Sequence, residues 1–364
     1  PFINRFNHQN SMKKTFSILA LAAAVLCSCD KNADCVPCQK AEENQEPATL
    51  SVSLGFDDPQ TRAVTAYTTA QDYEKAVNSV QILVFDASGK INMYKDAGTT
   101  VSDIQLSTTA GQKTVWAVVN GPDLSAIANL SALQAKAVDL ADNSLTKTEG
   151  FVMAGSTSCT VSATGGTAAV TVSRLVSRVA LQKVTNSLPS GYGALKIDNV
   201  TLINVVGNQN LTGNASISTW YNKMGRKDGG AQADIIDGST NKASCPSLTF
   251  AAPAATVNNG AAHTPATPHL FYCYPNATSA DANGWVSSFT ARKTRLVVAA
   301  TISGTKYYYP VTISTPERNK AYTVELTITG LGSTDPDQPV SKGAITASVT
   351  VQNWVAGATY EETI

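Results

Sequence analysis

Side chains able to carry acid–base, nucleophilic or metal chemistry are few in this sequence and far apart. Of three histidines, His263 and His269 both stand beside Thr-Pro turns. The chain has no HExxH pair, no G-x-S-x-G elbow and no phosphate-cradling G-x-x-x-x-G-K-[ST] loop. Cys35 and Cys38 in "DCVPCQK" have redox or half-zinc spacing, but no second C-x-x-C or nearby histidine completes a metal set, and no βαβ pattern surrounds them. They read as part of a solvated tether. Cys159, Cys245 and Cys273 are too scattered for a disulfide framework; Cys245 with Cys273 is the one pairing worth considering. Asp335 and Asp337 in "GSTDPDQPV" could contact calcium but read as a polar linker between two late strands. Tyr307, Tyr308 and Tyr309 in "KYYYPV" could stack on a sugar. Strand alternation turns the middle ring away from its neighbours, so ordinary packing with one exposed ring is the preferred reading. No catalytic set, metal or cofactor is expected.

The 364 residues carry 27 basic and 27 acidic side chains, and charged residues make up 15% of the chain. A neutral surface of this kind offers no electrostatic footprint for nucleic acid or an anionic membrane. From Met12, "MKKTFSILALAAAVLCSCDK" gives a basic start, an apolar run from Phe16 to Leu26 and then cysteine. The run is too short to span a bilayer, which takes about twenty residues, and reads as an export signal. Small Ser28 before Cys29 matches a bacterial lipobox better than Leu26 before Cys27, so Cys29 is expected to carry acyl lipid such as palmitate. Residues 1–11 precede the leader and read as an overlong start. The expected division is leader and lipobox 12–29, tether 30–47, and about 330 residues after export, enough for two domains with cores of their own.

The elements that must position any site are strands. In "ATLSVSLGF", Leu50, Val52, Leu54 and Phe56 share one face, and Ser51, Ser53 and Gly55 the other. Similar segments follow, among them "SVQILVFDASGKI", "KTVWAVVN", "LKIDNVTLINVV", "RLVVAATISGTKYYYPVTI" and "AITASVTVQNW", with hairpin signals in "ASGK", "TGGT" and "SGTK". One stretch reads as helix, "DLSAIANLSALQAKAVDL", capped by Asp123 or Ser125, with Leu124, Ile127, Leu130 and Leu133 near a 3.6 period. The expected fold is mainly β: two sandwiches, 48–176 and 177–364, joined near Arg174 to Val179, with one short helix in the first. Residues from Gly225 to Thr267 read as a long decorated loop region of the second.

Several stretches together resemble the Bacteroidales fimbrillins, also called type V pilins: "SVQILVFDASGKI", "TVWAVVNGP", "FVMAGS", "VSRLVSRVAL", "FYCYPN", and above all "ERNKAYTVELTITGLG" followed by a last strand ending in "QNW". The resemblance runs from about Leu50 to the end. It implies two transthyretin-like, Greek-key sandwich domains, export as an outer-membrane lipoprotein, and proteolysis after an arginine that follows the first strand. It further implies assembly into surface fimbriae by strand exchange, a C-terminal segment of one subunit filling the groove of the next. The implied partners are further copies, anchor and tip subunits, an arginine-specific protease, and a host or bacterial ligand that the sequence does not identify.

The residues supply a physical counterpart to each step. Arg62 in "DDPQTRAVT" is the only arginine between the leader and Arg174, and cleavage between Arg62 and Ala63 would make strand 48–56 separable. Four inward side chains at roughly 1.5–3 kcal/mol each would make its loss cost about 6–12 kcal/mol. Arg174 and Arg178 fall within predicted strands and are expected to be protected. At the other end Ile345, Ala347, Val349 and Val351 alternate with polar residues until Trp354 breaks parity. This strand is expected to close the second domain. The tail beyond it, 355–364, offers Val355, Tyr360 and Ile364 as anchors for a neighbour's groove. The competing reading is a monomeric surface lipoprotein that binds glycan through exposed aromatics such as Tyr308 or Trp285.

Overall fold

The computed structural model describes residues 46–57, 71–143, 150–213, 217–224, 248–250, 255–267, 269–279, 289–338, 340 and 343–353. Alternation in the first segment produces strand β1 (Pro47–Phe56), with Ala48, Leu50 and Val52 buried and Thr49 outward. A short helix α1 (Asp72–Lys75) leads into β2 (Val80–Asp86), β3 (Ile91–Asp96), β4 (Ile104–Thr109) and β5 (Gly111–Val119). The helix expected from Asp123 onward begins later, as α2 (Leu130–Ala135), capped by the Asn129 side chain accepting from Ala132 N at 2.8 Å. Competing backbone pairing explains the delay. Ile91 N donates to Ala128 O, and Leu130 N to Gly89 O, so the β2–β3 hairpin claims the chain before a helix can start. Asp123 closes a tight turn on Ser125 N instead.

Beyond α2 come β6 (Ala137–Asp139), a 3-10 turn, β7 (Met153–Val161) and β8 (Gly166–Arg174). The first lobe's strands run in the order β3-β2-β5-β7-β8-β1-β4. Strands β7 and β8 pair only at Met153 with Arg174 and Ala154 with Ser173. Around that narrow hinge the two parts of the sheet enclose one apolar cluster, including Leu50, Val52, Ile82, Val84, Leu106 and Val170. The hinge depends on Gly155 of "FVMAGS", where a Cβ would lie 1.9 Å from Thr171 O.

The second lobe begins with β9 (Ser177–Asn186) and β10 (Leu195–Ile203), followed by seven short strands: β11 (Val205–Val206), β12 (Asn208–Asn210), β13 (Trp220–Tyr221), β14 (Thr249–Phe250), β15 (Ala255–Val257), β16 (Ala262–His263) and β17 (Leu270–Cys273). It ends with β18 (Arg295–Ile302), β19 (Thr305–Thr312), β20 (Lys320–Ile328) and β21 (Ile345–Asn353). One sheet runs β14-β10-β18-β19 and the other β16-β9-β20-β21, with β17 also on β9. The region from Gly225 to Thr267 is thus not wholly loop, since β14, β15 and β16 lie within it.

Each lobe keeps its own main sheets, yet Gln45–Ile364 form one compact unit. A single apolar cluster runs through both, joining Leu83, Phe85 and Phe151 to Val179, Tyr272 and Leu326. Strand β6 of the first lobe pairs with β12 of the second, Asp139 opposite Asn208 and Ala137 opposite Asn210. No described helix is long and apolar enough to cross a membrane.

Candidate functional site

Strand β1 is held on both sides. It pairs antiparallel with β4 from Pro47 to Val52 and parallel with β8 from Leu50 to Phe56. Removing it would bare two strand edges and the apolar cluster beneath them. Leu50 and Val52 are fully buried, Leu54 packs against the cluster while half-covered, and Phe56 is 37% exposed. The expectation of four inward side chains is therefore corrected. Pairing with β4 ends at Val52, so Phe56 lies beyond the covered part of the slot. Two full burials contribute about 3–6 kcal/mol, half the earlier figure.

Arg62 and Ala63 lie outside the described residues, and the residues on either side of their segment are held by hydrogen bonds. Asp57 follows β1 directly, its N–H donating to Val172 O at 2.9 Å, and Asn319 Nδ2 donates to its carbonyl at 3.1 Å and its carboxylate at 3.2 Å. On the far side Glu74 is completely buried on α1. Its carboxylate accepts from Arg178 Nη1 at 2.9 Å, Tyr272 Oη at 2.5 Å and Gln71 N at 2.6 Å. Arg174 joins the two flanks, donating from Nε to Glu74 O at 2.8 Å and from Nη1 to Asn319 Oδ1 at 3.0 Å. Arg174 and Arg178 are 4% and 0% exposed, out of a protease's reach. Burial and the adjacent Glu74 push the Tyr272 phenol far up, so it remains a proton donor to that carboxylate.

Arg318 and Asn319 of "ERNK" occupy the turn before β20 and reach into the first lobe. Arg318 Nη2 donates to Ala154 O and Ser173 O, both at 3.0 Å. Burial pulls its guanidinium below the ordinary arginine value, and the Asp57 carboxylate opposes that shift. Asn319 has a positive φ of 57° and donates its own N–H to Val176 O.

Strand β21 contrasts with β1. Among the described residues it pairs with β20 alone, from Ile345 opposite Ile328 to Asn353 opposite Lys320. Ile345 and Val349 pack partly on the core, and Val351 is 53% exposed. It thus lies as an edge strand on the second lobe. Trp354, Val355, Tyr360, Ile364 and the lipobox Cys29 lie outside the described residues. Ser333 and Asp337, ahead of β21, are tied into the second lobe, and this corrects the reading of their stretch as a plain polar linker. Asp337 is buried between Arg292 Nη1, at 2.6 Å, and Arg295, and accepts from Asn204 Nδ2 at 2.9 Å. Burial pushes its carboxyl up against the opposing pull of the two arginines. Ser333 pairs with Tyr308 by two backbone bonds, and a Cβ on Gly332 would lie 2.6 Å from Tyr308 O.

The aromatic and cysteine expectations change as well. Tyr308 is 4% exposed and Tyr309 fully buried, because this strand is covered on both faces: Tyr308 packs with Ile203, Met224 and Val297, and Tyr309 enters the main core. Tyr307 is half-covered. Cys273 carries a free thiol, 3.2 Å from Ser177 Oγ, and burial pushes it up to about 12. Cys245, the partner considered for it, lies with Trp285 outside the described residues. Among the described residues no group of His, Cys, Asp and Glu could hold a metal ion.

Sequence reading missed Glu74, Asp57, Asn319 and the Asp337 cluster. Their polar partners lie up to 262 residues away, and periodicity carries no signal for such pairs.

The polar cluster of Glu74, Arg174, Arg178, Tyr272 and Asn319 ties strands of the two lobes of this β-sandwich protein together. Residues 48–220 match the family described as major fimbrial subunit protein (FimA). No curated protein matches the chain. Among solved structures, a putative cell adhesion protein from Bacteroides eggerthii is similar at 19% identity and TM-score 0.58, over 85% of this chain and 97% of that one. A fimbrilin from Porphyromonas gingivalis gives 14% and 0.56, covering 84% and 98%. The tip fimbrial protein Mfa3 of the same organism, with a C-terminal truncation, gives 16% and 0.50, covering 85% and 100%. The TM-scores show a shared fold.

Proposed function

We propose that this protein is a polymerising fimbrial subunit, exported as an outer-membrane lipoprotein through Cys29, cut between Arg62 and Ala63, and assembled by strand exchange into surface fimbriae that support adhesion. The observation that carries the reading is the place of β1. It fills a slot between β4 and β8, and the segment holding Arg62 follows it immediately. Cutting there leaves Glu74, Arg174 and Arg178 holding the junction while β1 is attached only by non-covalent contacts. An opened slot with two bare edges accepts a strand by main-chain pairing. The C-terminal tail 355–364, together with as much of β21 as detaches from β20, is the proposed donor. The edge position and exposure of β21 support this. The partners would be further copies with anchor and tip subunits, and the processing enzyme an arginine-specific protease.

N-terminal sequencing of protein sheared from cells tests the proposal. A start at Ala63 is expected, and a lipidated start at Cys29 in fibres would overturn it. The monomeric glycan-binding alternative is weakened by the burial of Tyr308, one of its two named aromatics.

A further inference from the structure

We propose that Arg318 and Asn319 form a clasp that reads a carboxylate at the end of the β1 slot. It is filled by Asp57 in the uncut subunit and by an acidic residue of a second copy's C-terminal strand in the fibre. The inference rests on the strand-exchange reading above and adds to it a determinant of register.

Three observations converge on it. Asn319 is 5% exposed, and its Nδ2 donates to both the carbonyl and the carboxylate of Asp57, while its Oδ1 is taken by Arg174 Nη1. Departure of β1 removes both of those acceptors from a buried donor. Arg318 places its guanidinium against neutral acceptors, the carbonyls of Ala154, Ser173 and Arg174, and Asp57 is the carboxylate that favours its charged form. A replacing strand without an acid there would leave this cation less compensated. Finally, Asp57 is itself exposed, at the mouth of the slot, where an incoming side chain can reach without crossing the core.

The occupant follows from the sequence of the tail. If Trp354 takes the place of Leu50, the same offset puts Ala356 at Val52, Ala358 at Leu54, Tyr360 at the exposed position of Phe56, and Glu361 at Asp57. The apolar alternation and the terminal acid then coincide in one register. A one-residue slip would turn the alternating set to the other face.

The test has two arms. In the intact chain, Asp57→Ala and Asn319→Ala should each raise hydrogen exchange of the β1 amides about tenfold, without a general rise elsewhere. Asp57 is exposed, so its variant is expected to fold even if the Asn319 variant does not. Unchanged β1 exchange in Asp57→Ala would overturn the clasp. In the second arm, elongation of fibres from Arg62-cleaved full-length subunits is followed by electron microscopy. Glu361→Gln should slow growth about tenfold, and the same change should have little further effect in an Asn319→Ala background. Equal growth of Glu361→Gln and native subunits would overturn the acid-reading role. If native cleaved subunits form no fibre at all, the polymer reading fails, while the exchange arm still decides whether the clasp holds β1.

Discussion

Replacing Asp337 with alanine strands Arg292 and Arg295 in the interior without the carboxylate they share. Breaking a buried ion pair from one side costs about 3–5 kcal/mol, so Asp337→Ala should lower the urea midpoint sharply, with little change in the slope of the transition. His269 makes a different prediction. It packs edge-on to Phe271 with ring centroids 4.6 Å apart, and burial depresses its pKa to about 4, against 6.5 for the free side chain. Between those values the unfolded chain binds a proton that the folded chain refuses. The stabilisation is therefore complete above pH 6.5 and is lost as pH falls towards 4. His269→Gln should flatten that part of the stability–pH curve, and an unchanged slope would exclude His269 as its source. Single side chains of this kind were the least legible in the sequence. Asp337 sat in a stretch of Ser, Thr, Pro and Asp with the composition of a linker, and only folding brings Arg292 and Arg295 to it.

Strands were legible because each half-buried one imposes period two on its own residues. Leu50 and Val52 were placed correctly by that rule, while Phe56 followed the pattern past the point where β4 stops covering the slot. The long helix failed for a related reason, since local periodicity cannot foresee residues 128–130 being recruited by a hairpin forty residues earlier. At this scale the proposal makes two predictions. Arg62→Ala should fold and reach the surface but form no SDS-resistant ladder, because the tethered β1 keeps its slot at a high effective concentration. Normal ladders in that variant would show that the cut is dispensable. Deleting 355–364 should leave circular dichroism unchanged and produce subunits that accept a strand without offering one. Fibre length should then shorten as their fraction in a mixture rises, and unaffected fibres would exclude the tail as donor.

Across the whole molecule the lobes are separate in their main sheets, joined by the small β6–β12 sheet, and continuous in their core. The division expected near Arg174 rests on strands to either side that carry their own alternation. The shared interior was not legible, because the joining residues, Phe85, Phe151 and Tyr272 among them, look like any other core positions. With β6 paired to β12 and Glu74 of the first lobe bound to Arg178 and Tyr272, neither half can unfold without exposing the other. Calorimetry of the intact chain should record one transition with equal van't Hoff and calorimetric enthalpies, and two resolved peaks would contradict this.

The placing of β1 between two partners also bears on tension. Strand β1 is bonded to β4 over its first part, to β8 over its last and to both at Leu50–Val52, so a pull directed along its axis loads many backbone bonds together instead of opening them one after another. Strand β21, bonded on one flank, can be peeled from its free side. A subunit strand lodged in the two-sided slot would therefore resist shear far longer than the same strand resists detachment from its own edge. In single-molecule pulling along the fibre axis, the lobes should yield before the junctions between subunits part.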